Sequence, residues 1–182
     1  MNDKNDRRSQ RTRQLLSEAL VQLIQEKDYS TITVSDIIER ANVGRSTFYA
    51  HYQSKDDLLL DQMDRVIEFL SQDAPHLQEF PYFPSLGFLR HVGGDHYELY
   101  KALVWGPGMD LITKHLQKSL SQRVEQGLQN SGREFEVPLP ILANFITGSF
   151  LNLLKWWLEN KRIYSPEQMD EFYKKVTLPG VK

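Results

Sequence analysis

Residues 33–55, which read TVSDIIERANVGRSTFYAHYQSK, decide the fold of this chain. Apolar residues recur at helical spacing in the first part of this stretch, which predicts a short helix over 33–41. Asn42 and the residues after it form a tight turn, in which Asn or Gly takes a positive φ at little cost. A further short helix is predicted over 45–52, with Phe48 facing inward. Two short helices joined by a tight turn are typical of a helix-turn-helix.

A longer helix is predicted before this pair. Apolar residues recur at helical spacing over 9–27, and no Gly or Pro interrupts them, which predicts an amphipathic helix of about four to five turns. The residues before it, 1–8, are predicted to be a flexible arm. Thr33 stands three residues before Asp36, which is a weak form of the capping box with Asp in place of Glu. The three helices together predict a helix-turn-helix domain over residues 1–55.

The second helix of a helix-turn-helix must enter a major groove about 12 Å wide, so its outward side needs small and hydrogen-bonding residues. Arg pairs with guanine, Ser and Thr donate or accept, and an Ala or Thr methyl can meet the thymine methyl. The candidates for base contacts are Arg45, Ser46, Thr47, Tyr49 and Ala50. Tyr49, His51 and Lys55 stand where they could touch flanking phosphates, which fix register without specifying sequence.

The rest of the chain is also predicted to be helical. A fourth helix is expected over about 55–70, and Ser165-Pro166-Glu167 is a good helix start. The other predicted helices cover 85–92, 97–104, 109–129, 140–160 and 166–175. Strand signals are almost absent. The expected fold is all-α, with a three-helix DNA-binding domain followed by a larger helical effector-sensing and dimerisation domain over residues 56–182.

One ordered set of residues carries a family resemblance. The set is Thr33-Val34, Ile37, Ala41-Asn42-Val43-Gly44-Arg45-Ser46-Thr47-Phe48-Tyr49-Ala50-His51-Tyr52 and Ser54-Lys55-Asp56-Asp57-Leu58-Leu59. It resembles the N-terminal domain of the tetracycline-repressor-like (TetR) family, and the similarity covers about residues 9–60. The resemblance implies a homodimer whose larger C-terminal domain usually binds a small inducer. It also implies base contacts by Arg45, Ser46, Thr47, Tyr49 and Ala50, and phosphate contacts by Thr33, Tyr49, His51 and Lys55.

The overall charge of the chain does not indicate a nucleic-acid partner. The 182 residues include 22 Lys+Arg and 24 Asp+Glu, and residues 1–60 hold nine basic and nine acidic side chains. Four arginines do cluster between positions 7 and 13, either as a solvated tail or as additional DNA contacts. The absence of Cys excludes disulfides, thiolate metal sites and cysteine nucleophiles. No nucleophile–base pair, phosphate-binding glycine loop or metal cluster stands at usable spacing, so we predict no enzyme activity and no cofactor.

Residues 139–158 form the one long apolar stretch of the sequence. Polar residues such as Asn144 and Lys155 interrupt it, so it predicts a buried helix and not a membrane span. It is apolar on nearly every side, which favours a homodimer interface over about 140–175, built as a four-helix bundle. A core helix within a monomer is the alternative. One of Trp156 and Trp157 must face away from its own core or be covered by a partner. The predicted interface residues are Phe145, Gly148, Ser149, Asn152, Trp156 and Trp157.

Aromatic residues are dense in the middle of the chain. A pocket for a small apolar or aromatic effector is predicted from them, although ordinary core packing explains them almost as well. The predicted pocket residues are Phe88, Tyr97, Tyr100 and Trp105. The nearby segment HVGGDH offers His91, Asp95 and His96 as metal ligands, but its two glycines indicate a loop. No metal is therefore predicted.

These features together predict a sequence-specific, dimeric DNA-binding transcriptional regulator. Two recognition helices related by a two-fold axis would meet successive major grooves, so the operator is expected to be roughly palindromic. The family resemblance implies repression, released by an effector, as the output, and the expected location is the cytoplasm, at the nucleoid when DNA is bound. A protein-interaction module that has lost DNA contact is the alternative, and the neutral N-terminal domain is its best support.

Overall fold

The computed structural model describes residues 3–72, 82–104 and 107–177, and in these ranges the chain is helical with no strand. The α-helices of these ranges are α1 (Asp3–Glu26), α2 (Val34–Ala41), α3 (Arg45–Tyr49), α4 (Lys55–Gln72), α5 (Ser85–Gly93), α6 (Tyr97–Val104), α7 (Pro107–Asn130), α8 (Leu139–Glu159) and α9 (Pro166–Thr177). A single 3₁₀ turn, Tyr29–Thr31, separates α1 from α2. The predicted all-α fold is confirmed.

Helix α1 is longer than its apolar pattern indicates. It begins at Asp3, so the flexible arm predicted over 1–8 was wrong for residues 3–8. This segment contains neither Gly nor Pro, and its Lys4, Arg7 and Arg8 are good helix formers, so the helix continues beyond its packed face. The exposed Arg8 and Arg11 therefore lie on a helix and not on a coil.

A continuous buried core runs from α1 to α9. Its N-terminal part contains the completely buried side chains Leu16, Leu20, Ile37, Phe48 and Leu58. Helix α4 supplies Leu58 and Leu59 to this part, and Met63 and Ile67 farther along the same helix. Because one helix serves both parts, the division of the chain at residues 55 and 56 stays a prediction.

The C-terminal part is built around aromatic side chains of α8 and its neighbours. The ring of Phe150 lies 4.9 Å from that of Phe83 and 5.3 Å from that of Tyr173, in edge-to-face contacts. Trp157 packs on Gly93, where an added Cβ would lie 2.3 Å from the indole, so this position needs a glycine. No helix of the described ranges is long and apolar enough to cross a bilayer.

One of the contacts between the two parts joins the 3₁₀ turn to the start of α7. A Cβ added to Gly108 would lie 3.1 Å from Cδ1 of Tyr29 and 3.0 Å from Cδ2 of Leu103. Side chains close to van der Waals contact transmit displacement, because protein interiors are close-packed. We call this contact the Tyr29–Gly108 joint.

Candidate nucleic-acid interface

Helix α2 begins with the predicted capping box. The hydroxyl of Thr33 accepts a hydrogen bond from the Asp36 N–H at 3.2 Å, and the Asp36 carboxylate accepts one from the Thr33 N–H at 2.7 Å. The ammonium of Lys27 lies 2.9 Å from the same carboxylate. Lys27 first, and then the Thr33 N–H and hydroxyl, lower the pKa of Asp36 to about 2. The start of α2 is therefore fixed by its own sequence.

The turn between α2 and α3 uses the asparagine and not the glycine for its left-handed residue. Asn42 has φ 51° and ψ 49°, and its N–H donates to Glu39 O at 3.2 Å. Gly44 is the N-cap of α3, with φ −73° in the extended region, which any residue adopts without strain. The predicted tight turn is confirmed, and Asn42 is the residue that directs α3 away from α2.

Helix α3 is held by one aromatic anchor. Phe48 is completely buried, and its ring meets that of the exposed Tyr49 edge to face at 5.4 Å. The helix ends at Tyr49 and not at residue 52 as predicted, because the N–H groups of His51 and Tyr52 both donate to Phe48 O at 2.9 Å. This tighter turn brings Tyr52 inward, where its hydroxyl donates to Asp61 at 2.6 Å.

The candidates for base contacts remain at the surface. Arg45, Ser46 and Ala50 are exposed, Thr47 is half-buried, and Tyr49 exposes 52% of its surface. The guanidinium of Arg45 donates to the Ser35 hydroxyl at 3.1 Å, which holds it beside the start of α3. A short helix with one buried anchor and polar or small groups around it can present hydrogen-bonding groups to a groove.

The candidates for phosphate contacts differ in how many contacts they already make within the protein. Thr33 is exposed, but its hydroxyl also donates to Asp36 at 2.8 Å, and the half-buried His51 packs near the Tyr52 ring at 6.3 Å. Lys55 is half-buried and already hydrogen-bonded within the protein. Its ammonium donates to the carbonyl oxygens of Tyr29 at 2.7 Å, Ile32 at 2.7 Å and Ser30 at 3.3 Å. These contacts match the three N–H donors of an ammonium group.

Sequence reasoning missed the group of side chains that receives Lys55. The Tyr29 hydroxyl donates to the Asp56 carboxylate in a short hydrogen bond, and Lys55 lies 4.6 Å above the Tyr29 ring. Burial, followed by the bond to Asp56, raises the pKa of Tyr29. We call Tyr29, Lys55 and Asp56 the Tyr29 knot. No local pattern reveals it, because 26 residues separate Lys55 from Tyr29.

Ion pairing explains how a neutral domain can still present positive charge. Both oxygens of Glu26 accept from Arg40, at 2.8 and 2.6 Å, and this pairing lowers the pKa of Glu26. Arg45, by contrast, belongs to no ion pair within the described ranges. Glu26 and Asp36 are thus paired locally, while α3 keeps the charge of Arg45.

A second candidate site is a small cavity enclosed by helices α4 to α8. Of the predicted pocket residues, Phe88 and Tyr100 line it, together with Met63, Val66, Ile112, Leu116, Leu154 and Leu158. Tyr97 instead lies under the guanidinium of Arg162, 3.5 Å from the ring centre, and Trp105 lies outside the described residues. The cavity has a volume of about 20 Å³, which is room for about one water molecule.

Helix α8 turns part of its apolar surface outward. Phe145 is 62% exposed and Trp156 is 42% exposed, Asn152 is exposed, and Gly148 and Ser149 are half-buried. Further apolar side chains exposed on α8 and α9 are Ile141, Phe172 and Val176, which sequence reasoning did not name.

The predicted interface role of Trp157 is corrected. This side chain is only 1% exposed, because its indole packs on Gly93 and its Nε1–H donates to Tyr164 O at 2.9 Å. Trp156 is therefore the member of the pair that faces away from the core.

Known proteins resemble this chain over both parts. Residues 16–61 match the family model of bacterial regulatory proteins of the tetR family, and residues 93–178 match a transcriptional regulator C-terminal region. The HTH-type transcriptional regulator YxbF of Bacillus subtilis is 46% identical over 172 residues, covering 89% of this chain, and the chain spans only 43% of that protein's length.

Two further relatives are similar over different lengths. A TetR transcriptional regulator from Streptococcus agalactiae superimposes with a TM-score of 0.71 at 28% identity, covering 97% of this chain and 99% of that one. The dhaKLM operon transcriptional activator DhaS of Lactococcus lactis is 36% identical over 55 residues, which are 30% of this chain and 29% of DhaS. With the family's helix-turn-helix at its N-terminus and the matching C-terminal region behind it, the chain belongs to the TetR family of bacterial transcriptional regulators.

Proposed function

We propose that this protein binds operator DNA by inserting α3 into the major groove. The proposal rests on one observation. Phe48 is the one buried residue of α3, so the polar and small groups around it remain at the surface, where DNA can contact them. The proposed base contacts are made by Arg45, Ser46, Thr47, Tyr49 and Ala50, and the proposed phosphate contacts by Thr33, Tyr49, His51 and Lys55. The first set would specify sequence and the second would fix register.

Lys55 can reach a phosphate only by exchanging a partner. Its longest hydrogen bond, to Ser30 O at 3.3 Å, is the one most easily replaced by a phosphate oxygen. The two bonds of 2.7 Å would remain and keep the ammonium aimed from the start of α4. On this proposal Lys55 both fastens the 3₁₀ turn and contributes to DNA affinity.

We propose that the protein acts as a homodimer through the outer faces of α8 and α9. The exposed Phe145 and Trp156 would be buried there, and Gly148 and Ser149 would let the helices of two subunits approach closely. A four-helix bundle with a two-fold axis places two copies of α3 on successive major grooves. The operator is then roughly palindromic, and the protein acts in the cytoplasm where such DNA is found.

We further propose that a small effector entering the cavity releases the DNA. Helix α4 lines the cavity with Met63 and Val66 and begins at Lys55, so a displaced α4 would alter the spacing of the two recognition helices. A coupling of about 1–3 kcal/mol changes operator affinity roughly 5- to 150-fold. Repression by occupying the operator is the proposed output. Since the similar DhaS is an activator, a reporter gene behind the operator must test the sign.

The experiment that tests the proposal is selection of bound duplexes from a random DNA pool, followed by binding measured against salt. We expect a two-fold symmetric sequence, with affinity falling by about 0.9 log units per log unit of salt for each phosphate contact. Recovery of no preferred sequence, with weak binding that ignores salt, would favour the protein-interaction module instead.

A further inference from the structure

Among the residues that the structure describes, no charged side chain lines the cavity between α4 and α8. Besides the eight lining residues named above, the lining includes Val92, Met109, Thr113 and Leu151. Of these twelve side chains only Tyr100 and Thr113 carry a hydroxyl group, and the others are apolar. An ion that entered this space would lose its hydration without gaining a partner of opposite charge, so the lining disfavours charged ligands.

Tyr100 differs from three other buried tyrosines in its hydroxyl group. The hydroxyls of Tyr29, Tyr52 and Tyr173 each donate to a carboxylate or a carbonyl oxygen. Tyr100 is only 5% exposed, yet no hydrogen bond joins its hydroxyl to the described part of the chain, and burial alone raises its pKa. Because a buried polar group without a partner is unfavourable, this hydroxyl is suited to bind a polar group of a ligand.

The histidine in contact with Tyr100 adds no charge near pH 7. The ring of His91 meets that of Tyr100 edge to face at 5.8 Å and lies 4.2 Å from the ring of His96. Burial, followed by the proximity of His96, lowers the pKa of His91 to about 4. His91 is therefore neutral, and the surroundings of Tyr100 also favour an uncharged ligand.

The lining can enlarge the cavity and also adjoins the protein surface. The cavity measures about 20 Å³, so a ligand must displace side chains, and the flexible, unbranched Met63 and Met109 can yield. Thr113 is half-buried and lines both the cavity and the surface groove between α7 and α8. A ligand that passes Thr113 from this groove enters the cavity directly.

From these observations we infer that the effector is an uncharged, largely apolar molecule with one hydrogen-bonding group, which pairs with the Tyr100 hydroxyl. This inference rests on the proposed effector site. A hydroxyl or carbonyl oxygen of the ligand would accept from Tyr100, while its apolar body packs among the remaining side chains. Apolar pockets with few polar groups commonly orient their ligands in this way.

The test is titration of the full-length protein with octanol, octanoate and octylammonium, followed by NMR of isotope-labelled methionine methyl groups. These probes share an apolar chain and differ in charge. Of the four methionines, Met63 and Met109 line the cavity, whereas Met169 is buried in α9 outside it. We expect octanol to shift the signals of Met63 and Met109 but not that of Met169, and to bind about tenfold or more tightly than either ion.

A pair of tyrosine variants tests the hydrogen bond. Tyr100→Phe removes only a hydroxyl group and should weaken octanol binding about fivefold, because the ligand loses its one polar partner. The matched control is Tyr97→Phe, one turn earlier on α6. Tyr97 does not line the cavity, and its ring contact with Arg162 does not need the hydroxyl, so this variant should bind octanol like wild type.

The inference is overturned if octanol does not bind, if either ion binds as tightly, if the signals of Met63 and Met109 do not move, or if Tyr100→Phe binds octanol normally. The comparison of the three probes uses the wild-type protein and stands even if a variant does not fold. Operator binding is measured on the same preparation. Failure to bind any DNA sequence refutes the proposed function and not the ligand chemistry, whereas octanol that binds without changing operator affinity refutes the role of such a molecule as effector.

Discussion

Two helices of this protein carry adjacent aromatic residues of which one faces in and one faces out. In α3 the buried Phe48 precedes the exposed Tyr49, and in α8 the exposed Trp156 precedes the buried Trp157. The inner residue of each pair holds its helix against the core. The outer residue of α3 lies among polar and small groups, whereas α8 exposes Ile141 and Phe145 as well as Trp156.

The difference indicates what each face is suited to meet. A groove walled by hydrated phosphates needs hydrogen-bonding groups, because an apolar face would desolvate it without compensation. A second copy of the same chain can bury apolar area on both sides. Five predictions test which residues stabilise these helices and which contact DNA or a second subunit. They are ordered from the largest expected effect to the smallest.

Phe48→Ala should remove the anchor of α3 and lower the free energy of unfolding by about 3–5 kcal/mol, because a completely buried ring leaves a cavity. Urea denaturation measures it. Tyr49→Ala is the matched control and should change stability by less than about 1 kcal/mol while weakening operator binding. Equal losses of stability in the two variants would mean that α3 has no distinct anchor.

Phe145→Glu should raise the dissociation constant of the dimer about 100-fold or more, because a charge would be buried at the centre of an apolar interface. Sedimentation equilibrium gives the constant. Phe69→Glu makes the same change at an exposed position of α4 and should leave the dimer intact. A Phe145→Glu variant that remains dimeric at low concentration would move the interface elsewhere.

Arg45→Ala should cost about 1–3 kcal/mol of operator binding and relax preference at one base pair of each half-site, if the guanidinium reads a base. Competition between operator variants measures the preference. Arg40→Ala serves as the control, since that guanidinium pairs with Glu26 and is not among the proposed contacts. A uniform loss of affinity on all sequences would reassign Arg45 to a phosphate.

Lys55→Met should lower the free energy of unfolding by about 1–3 kcal/mol, because carbonyl oxygens of the 3₁₀ turn lose a charged donor. Thermal denaturation shows this loss. The salt dependence of DNA binding then tests the second role: a slope shallower by about 0.9 supports exchange onto a phosphate. An unchanged slope would leave Lys55 with the internal role alone.

Asp36 should make α2 sensitive to acid. Its pKa is lowered to about 2 in the folded protein from an ordinary value near 4, so it adds stability above about pH 4 that is lost as the pH falls toward 2. The difference in melting temperature between wild type and Asp36→Asn should therefore shrink over that range. A constant difference would show that the carboxylate charge contributes nothing to the cap.

Sequence alone predicts the parts of this molecule that depend on near neighbours. The Thr33–Asp36 cap and the Asn42 turn follow from residues within three positions of each other. The start of α1 was missed because its first residues have helix propensity without an apolar pattern.

Features that join distant segments could not be predicted in the same way. The Tyr29 knot and the burial of Trp157 against Gly93 each depend on which elements pack together, and periodicity along one helix carries no such information.

The Tyr29–Gly108 joint has a consequence for how such a regulator can be tuned. Because Gly108 has no side chain, the backbone at the start of α7 lies close to the ring of Tyr29. The hydroxyl of that ring donates to Asp56 within the Tyr29 knot. A methyl group added at Gly108 would push the Tyr29 ring, and the 3₁₀ turn that carries it, by a fraction of an ångström with no ligand present. On the proposed function, one added carbon atom at Gly108 changes operator affinity without altering any residue proposed to contact DNA or any residue that lines the cavity.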